Sequence, residues 1–245
     1  MSNDYLSPAP AAASADALPE RTTKRPGWPE IAGATVTYAA LVGAGIAVIV
    51  SMSDEQAVAR GIVSYAVSAL AGLGAFGIAV VLRVRDLKAF GLRRVAGKWL
   101  VLGAALGAGA FLLNIVVAIA YAQISGDTSN PQGDYRAAAS GGGLSLVLTF
   151  LFGAIATPIG EELAFRGVLA NALGRYGPWA GVLASSAVFA LVHGVNVILP
   201  IAFVVGVAAA LLLRKTGSVW PGVCVHVANN GISVLVPALL ALSGT

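Results

Sequence analysis

Seven apolar runs occupy most of this chain, at about 31–52, 61–82, 99–123, 143–174, 178–193, 196–213 and 219–242. They approach the ~20 residues that a helix needs to cross the hydrocarbon core of a bilayer. Of the 245 residues, 58% are hydrophobic and 11% charged, whereas an average soluble domain carries about 25% charged residues. Mean hydropathy is +0.84. A soluble fold has no means of burying so much apolar surface, so the expected fold class is all-α: a polytopic transmembrane helical bundle of about seven spans, or eight.

The distribution of Lys and Arg between the runs predicts orientation. One set of alternate connections holds Arg21, Lys24, Arg25, six residues from Arg83 to Lys98, Arg175, Arg214 and Lys215; the other holds Arg60 and Arg136. Twelve against two, with the embedded Arg166 set aside, predicts a cytoplasmic N-terminus and, if all seven runs cross, an external C-terminus. The Ser/Gly-rich connection 125–142, with Asp127 and Asp134, then faces outside. The expected location is the plasma or inner membrane, with membrane lipid as the first partner. The net charge of +4 is spread between runs rather than gathered in a patch, so no nucleic-acid partner is expected. The basic stretch 83–98 reads as a positive-inside loop, with an interfacial helix on anionic headgroups as the alternative. Cys224 is the only cysteine, which excludes an intrachain disulfide and a thiolate metal cluster.

Residues 1–29, rich in Ala, Pro and Ser with scattered charges, lack the apolar content needed to order themselves and are expected to form a disordered cytoplasmic tail. They are not a signal peptide, because the first apolar core starts near residue 31 and is too long for an h-region. N-terminal transmembrane helices are expected over 30–142 and a catalytic transmembrane region over 143–242. Gly103 and Gly107 stand at helix-packing spacing, where small residues let backbones approach.

Ionisable groups inside apolar segments are costly, about 2.5–3.5 kcal/mol for Arg, Lys or Asp on insertion scales. Here they cluster in the last third. GEELAFRG contains Glu161, Glu162 and Arg166. Glu162 and Arg166, four apart on a helix, can pair on one face, while Glu161 is turned about 100° away and free to point into a cavity. Both histidines of the chain lie in later runs, His193 in FALVHG and His226 in VCVHVANN. If the fourth and fifth runs form a hairpin turning at 175–178, Glu161 and His193 come level about 21–22 Å from the turn. His226 and Asn230, about 12 and 18 Å into the last span, share one face and a similar depth. A carboxylate, two imidazoles and an amide suit hydrolysis, as base, acid and oxyanion donors.

These blocks resemble those of the CAAX prenyl protease and bacteriocin-processing (CPBP, or Abi) family of intramembrane proteases: EExxxR, FxxxH and HxxxN on successive helices. Glu161, Glu162 and Arg166 match the first, Phe189 and His193 the second, His226 and Asn230 the third. The resemblance covers about 143–242. It implies an intramembrane endopeptidase acting on a membrane-associated peptide or protein, in a fold described with eight helices. Glu161 and His193 would activate the water, His226 and Asn230 would stabilise the oxyanion, and Glu162, Arg166 and Phe189 would support them.

Glu161, His193 and His226 also have the composition of a catalytic zinc site. No HExxH helix is present, so the preferred reading needs no cofactor and zinc is the alternative. The other function classes are a non-catalytic immunity or scaffold protein of the same fold and a proton-coupled transporter. No GxSG or GxGD element stands in the chain. Ala, Gly and Val richness points to a bacterial source, where a prenylated substrate is not expected. The site is expected in a cavity among the fourth, fifth and seventh runs, opening toward the cytoplasm or laterally into the bilayer.

Overall fold

Lipid tails supply no hydrophobic drive between helices, so close backbone packing at small residues holds such a bundle together. The computed structural model describes residues 25–126 and 130–243. Among these residues eight helices follow in order: α1 (Trp28–Val50), α2 (Asp54–Val84), α3 (Gly97–Ser125), α4 (Gly133–Ser140), α5 (Gly143–Tyr176), α6 (Pro178–Leu191), α7 (Ile198–Thr216) and α8 (Trp220–Ser243). The chain is an all-helical multi-pass membrane protein. Its interior is small, with Ala69, Ala71, Ala75 and Ala79 of α2 and Ala209 and Ala210 of α7 buried, while Val101, Leu112, Val116 and Leu239 face outward.

The crossings that matter are made by glycine. Gly103 and Gly107 of α3 lie against the Pro221 and Val225 carbonyls of α8, as their spacing predicts, and a β-carbon at either would collide with that backbone. Gly72 of α2 meets the Gly160 carbonyl of α5 in the same way, beside the Glu161 amide. The N-terminal helices and residues 143–242 therefore pack into one another, α2 on α5 and α3 on α8.

Six helices are long and apolar enough to cross a membrane, against the seven spans expected. All seven runs are helical, but the fifth falls short. At 14 residues, α6 rises about 21 Å, less than the ~30 Å hydrocarbon core. It stops at Leu191, before His193, because the chain turns there: Gly194 takes the left-handed conformation at φ +86°. Asn196 holds the turn from both sides. Its Nδ2 donates to the His193 carbonyl at 2.9 Å and its Oδ1 accepts from the Ile198 amide at 2.8 Å, opening α7.

Connections rich in Lys and Arg share one end of the bundle. Arg83 pairs with buried Glu30 at 2.8 Å, and Arg175 donates to the Pro26 carbonyl at 2.5 Å. Ser218 donates to the Arg93 carbonyl at 2.8 Å, and the Val219 amide to Gly91 at 3.0 Å. At the other end Arg60 forks onto Asp134 and also pairs with Asp54. The Ser/Gly-rich connection at that end contains α4, with Ala138 and Ala139 buried; Asp127 lies outside the described residues. Of the expected tail, residues 1–24 lie outside the described residues and residues 28 and 29 already belong to α1. Pro29 sits in the first turn, where its missing N–H leaves nothing unsatisfied, and the Glu30 carboxylate accepts from the Gly27 amide at 2.7 Å.

Candidate active site

Pro158 shapes the helix that carries the acidic pair. Proline has no amide hydrogen and its ring crowds the carbonyl four residues back, here Ala154. The helix answers by widening into i→i+5 turns over Phe150–Ala156, a distortion frequent at functional sites. The Thr157 amide then bonds to Phe152 rather than to Gly153. In the widened pattern the partner of the Gly153 carbonyl would be Pro158, which has no hydrogen to give. Asn230 fills the vacancy from α8, its Nδ2 donating to Gly153 at 3.1 Å. The proline thus frees the acceptor that ties Asn230 to α5, and one amide hydrogen of Asn230 remains uncommitted.

Glu161 and Glu162, one turn on, face different ways. Glu161 is buried at 4% exposure, yet it borders a cavity of about 1090 Å³ that His193, His226, Asn229 and Asn230 also line. Ser68 of α2 donates to its Oε1 at 2.6 Å. Its Oε2 lies 3.6 Å from His226 Nε2 and makes no hydrogen bond among the described residues. That separation is too long for a direct bond.

Glu162 and Arg166 lie away from the cavity, both at 0% exposure, and form the ion pair their spacing predicts at 3.1 Å. It is a charge contact rather than an aligned bond, since no guanidinium nitrogen and neither Glu162 oxygen meets hydrogen-bond geometry. Two glycines make the room. A β-carbon at Gly222 would come within 2.8 Å of Glu162 Oε2, and one at Gly206 within 3.1 Å of an Arg166 nitrogen. The Oε1 atom of Glu162 also faces His226 Nδ1 at 3.4 Å, so the His226 ring lies between two carboxylates.

Phe189 gathers the rest. Arg166 stacks over its ring at 4.3 Å, and the rings of His193 and His226 meet it edge-on at 4.7 and 5.5 Å between centroids. Such edge-to-face contacts fix ring orientation as well as burying area. His193 donates from Nδ1 to the Phe189 carbonyl at 2.8 Å, because a carbonyl oxygen can only accept. That leaves Nε2 of His193 for chemistry.

All the residues singled out in the sequence thus gather here. Glu161, Phe189, His193, His226 and Asn230 border one cavity, with Glu162 and Arg166 behind them. The pairing differs from the helix arithmetic in one respect. Among the described residues, the imidazole in ion-pair range of Glu161 is His226 rather than His193, because α6 ends short and His193 sits on the turn beyond it. About half of the cavity's lining also comes from outside the region of the motifs. Tyr38 of α1, Ser64, Tyr65 and Ser68 of α2 and Tyr135 of α4 line it, and the Tyr65 and Tyr135 rings stack at 4.4 Å. Burial, and then the charge of Glu161, push the Tyr135 phenol above its ordinary range, so it stays a neutral donor at neutral pH. Polar residues at positions 64, 65 and 68 of an apolar run were the available signal, but Ser and Tyr cost little in a span and do not stand out as charges do.

Among the described residues no group of three His, Cys, Asp or Glu side chains converges to hold a metal ion. Glu161 and His226 offer two donors and His193 does not join them, so this donor set does not fit the zinc site considered from composition.

No curated protein and no solved structure matches the chain. The model of the family described as "type II CAAX prenyl endopeptidase Rce1-like" matches residues 143–232, the stretch that holds every motif residue named above. Residues 143–232 are therefore similar to the Rce1-like CAAX endopeptidase family and lie inside a multi-pass helical membrane protein.

Proposed function

We propose that this chain is an intramembrane endopeptidase that hydrolyses a peptide bond of a membrane-associated peptide or protein. The observation that carries the reading is Glu161: a buried carboxylate of a residue that borders the cavity, with one oxygen held by Ser68 and the other buried without a hydrogen-bond partner among the described residues, beside His226. The family match supports the reaction class.

In this reading a water hydrogen-bonds to Glu161 Oε2 and His226 Nε2. Glu161, aided by His193, takes a proton from the water as its oxygen adds to the carbonyl carbon. The uncommitted hydrogen of Asn230, with His226, donates to the resulting oxyanion, where preorganised donors act most strongly. Collapse breaks the C–N bond, and the leaving amine receives the proton held by Glu161, directly or passed on through His193 Nε2. Glu162, Arg166 and Phe189 hold the imidazoles in place.

The test compares purified wild type, Glu161→Ala and His193→Ala in liposomes against a library of membrane-anchored peptides, with metal content measured on the same samples. Cleavage by the wild type alone, with all three folded, is the expected outcome. Full activity in either variant rejects the assignment. Binding without cleavage that survives Glu161→Ala points to a scaffold or immunity protein, and proton-coupled flux to a transporter. Stoichiometric zinc whose removal abolishes cleavage overturns the direct activation of water.

A further inference from the structure

The cavity is one-sided. Its lining comes from the end of α1 (Ile49), the last third of α3 (Ile119), the α4 connection (Gln132, Arg136), the turn after α6 (Asn196) and the end of α8 (Leu240). No lining residue comes from 83–98, 174–177 or 214–219, the connections that meet at the basic end. The space therefore runs from Glu161, midway along α5, to the α4 end of the bundle.

Among the described residues that end carries Arg60 and Arg136 and the opposite end ten cations, Arg25, the six from Arg83 to Lys98, Arg175, Arg214 and Lys215; Arg60 is moreover paired with Asp54 and Asp134. Cation-rich short connections stay on the cytoplasmic side during insertion. At about 1090 Å³, the cavity exceeds the roughly 300–1,000 Å³ of a typical small-ligand cleft. It has room for a length of chain, with apolar walls for its side chains and polar groups at the Glu161 end.

From this juxtaposition of an open α4 end and a basic opposite end, we infer that the site is served from the external face of the membrane, and that its substrate is a peptide segment emerging from the outer leaflet on a lipid-anchored or membrane-spanning protein. The inference rests on the endopeptidase reading and adds the side and the presentation of the substrate. It runs against one of the two openings expected from the sequence, the cytoplasmic one, and leaves the lateral one, because depth arithmetic locates the groups along the helices without saying which end of the space is closed. Lateral entry between apolar helices delivers the same segment, provided its scissile bond reaches Glu161 from the α4 end.

Two measurements on the full chain in intact bacterial cells test it. In a Cys224→Ser background, which removes the only cysteine, Ser140→Cys at the end of α4 and Ala96→Cys at the basic end report sidedness through a membrane-impermeant maleimide. Both positions are exposed and neither change alters the charge count. Two reporters with the same apolar scissile segment and a single spanning helix, one displaying it outside and one inside, report cleavage. The expected result is labelling of Ser140→Cys in intact cells, labelling of Ala96→Cys only after lysis, and cutting of the outward reporter by wild type and not by Glu161→Ala. Labelling of Ala96→Cys in intact cells, or cutting of the inward reporter, overturns the sidedness and leaves the endopeptidase reading standing. Correct labelling with neither reporter cut overturns the endopeptidase reading, and this substrate assignment with it.

Discussion

Glu162 and Arg166 carry opposite charges with no access to solvent, and a pair in that setting is retained at a cost. Removing one partner strands the other, so Glu162→Ala or Arg166→Ala is expected to destabilise the protein by ~3–5 kcal/mol. The double replacement Glu162→Leu with Arg166→Met should recover much of that loss while cleavage stays low, because His226 Nδ1 then faces no carboxylate at Glu162. Thermal unfolding in detergent and the liposome assay together read both effects; equal instability of the single and double variants contradicts the account. Gly222 belongs to the same argument. A methyl group there meets Glu162 Oε2 at 2.8 Å, so Gly222→Ala should cost about 1–3 kcal/mol, the usual penalty of overpacking, and should lower cleavage by displacing Glu162 toward His226.

Single residues shape the backbone at two places, although α5 widens again over Leu163–Ala170 without a proline. In α5 the absent amide of Pro158 widens the preceding turns and releases the Gly153 carbonyl to Asn230. Pro158→Ala restores an N–H that competes for that region of backbone. The expected outcome is a protein at least as stable as wild type, since an interior proline costs a helix about 3 kcal/mol, but slower in cleavage because Asn230 loses its anchor. A variant that is both stable and fully active would detach Asn230 from the mechanism. In the turn after α6, Asn196 makes two hydrogen bonds that end one helix and begin the next. Asn196→Ala should cost ~1–3 kcal/mol at about 0.5–1.5 kcal/mol per hydrogen bond and reduce turnover, with the unfolding midpoint and the cleavage rate as the paired measurements.

The whole bundle, rather than the matched region, makes the site. Ser68 holds Glu161, and Tyr38, Tyr65 and Tyr135 line the cavity, all from helices before residue 143. A chain beginning at residue 143 carries every motif residue and is nevertheless expected to be inactive, with cleavage returning when residues 1–142 are co-expressed; activity of the shorter chain alone would show that the N-terminal helices are dispensable. The Gly72–Gly160 crossing locks the two halves, and Gly72→Val should disrupt it more severely than Gly77→Val, where a β-carbon meets open space.

Seven of the eight helices were legible in the residues because hydrophobic length is a local property, and all seven runs became helices, while α4, short and polar, was not, nor was the reduction to six spans. Glu161, Glu162, Arg166, His193 and His226 were legible because charges and imidazoles are expensive in lipid and so mark themselves, and Asn230 by its i, i+4 spacing from His226. The i, i+4 pairing of Glu162 with Arg166 followed from helix periodicity alone. Other features depend on contacts between segments far apart in the chain. Periodicity and hydropathy are blind to the shortness of α6, which a left-handed glycine and an asparagine clasp impose, and to the choice of His226 over His193 as the neighbour of Glu161. Ser68 was hidden because a hydroxyl costs too little in a span to stand out, and becomes meaningful only where a glycine crossing brings α2 against the carboxylate. The end at which the cavity opens is the most distant of these from any local signal, since it depends on how all the helices splay around a space that no single one of them encloses.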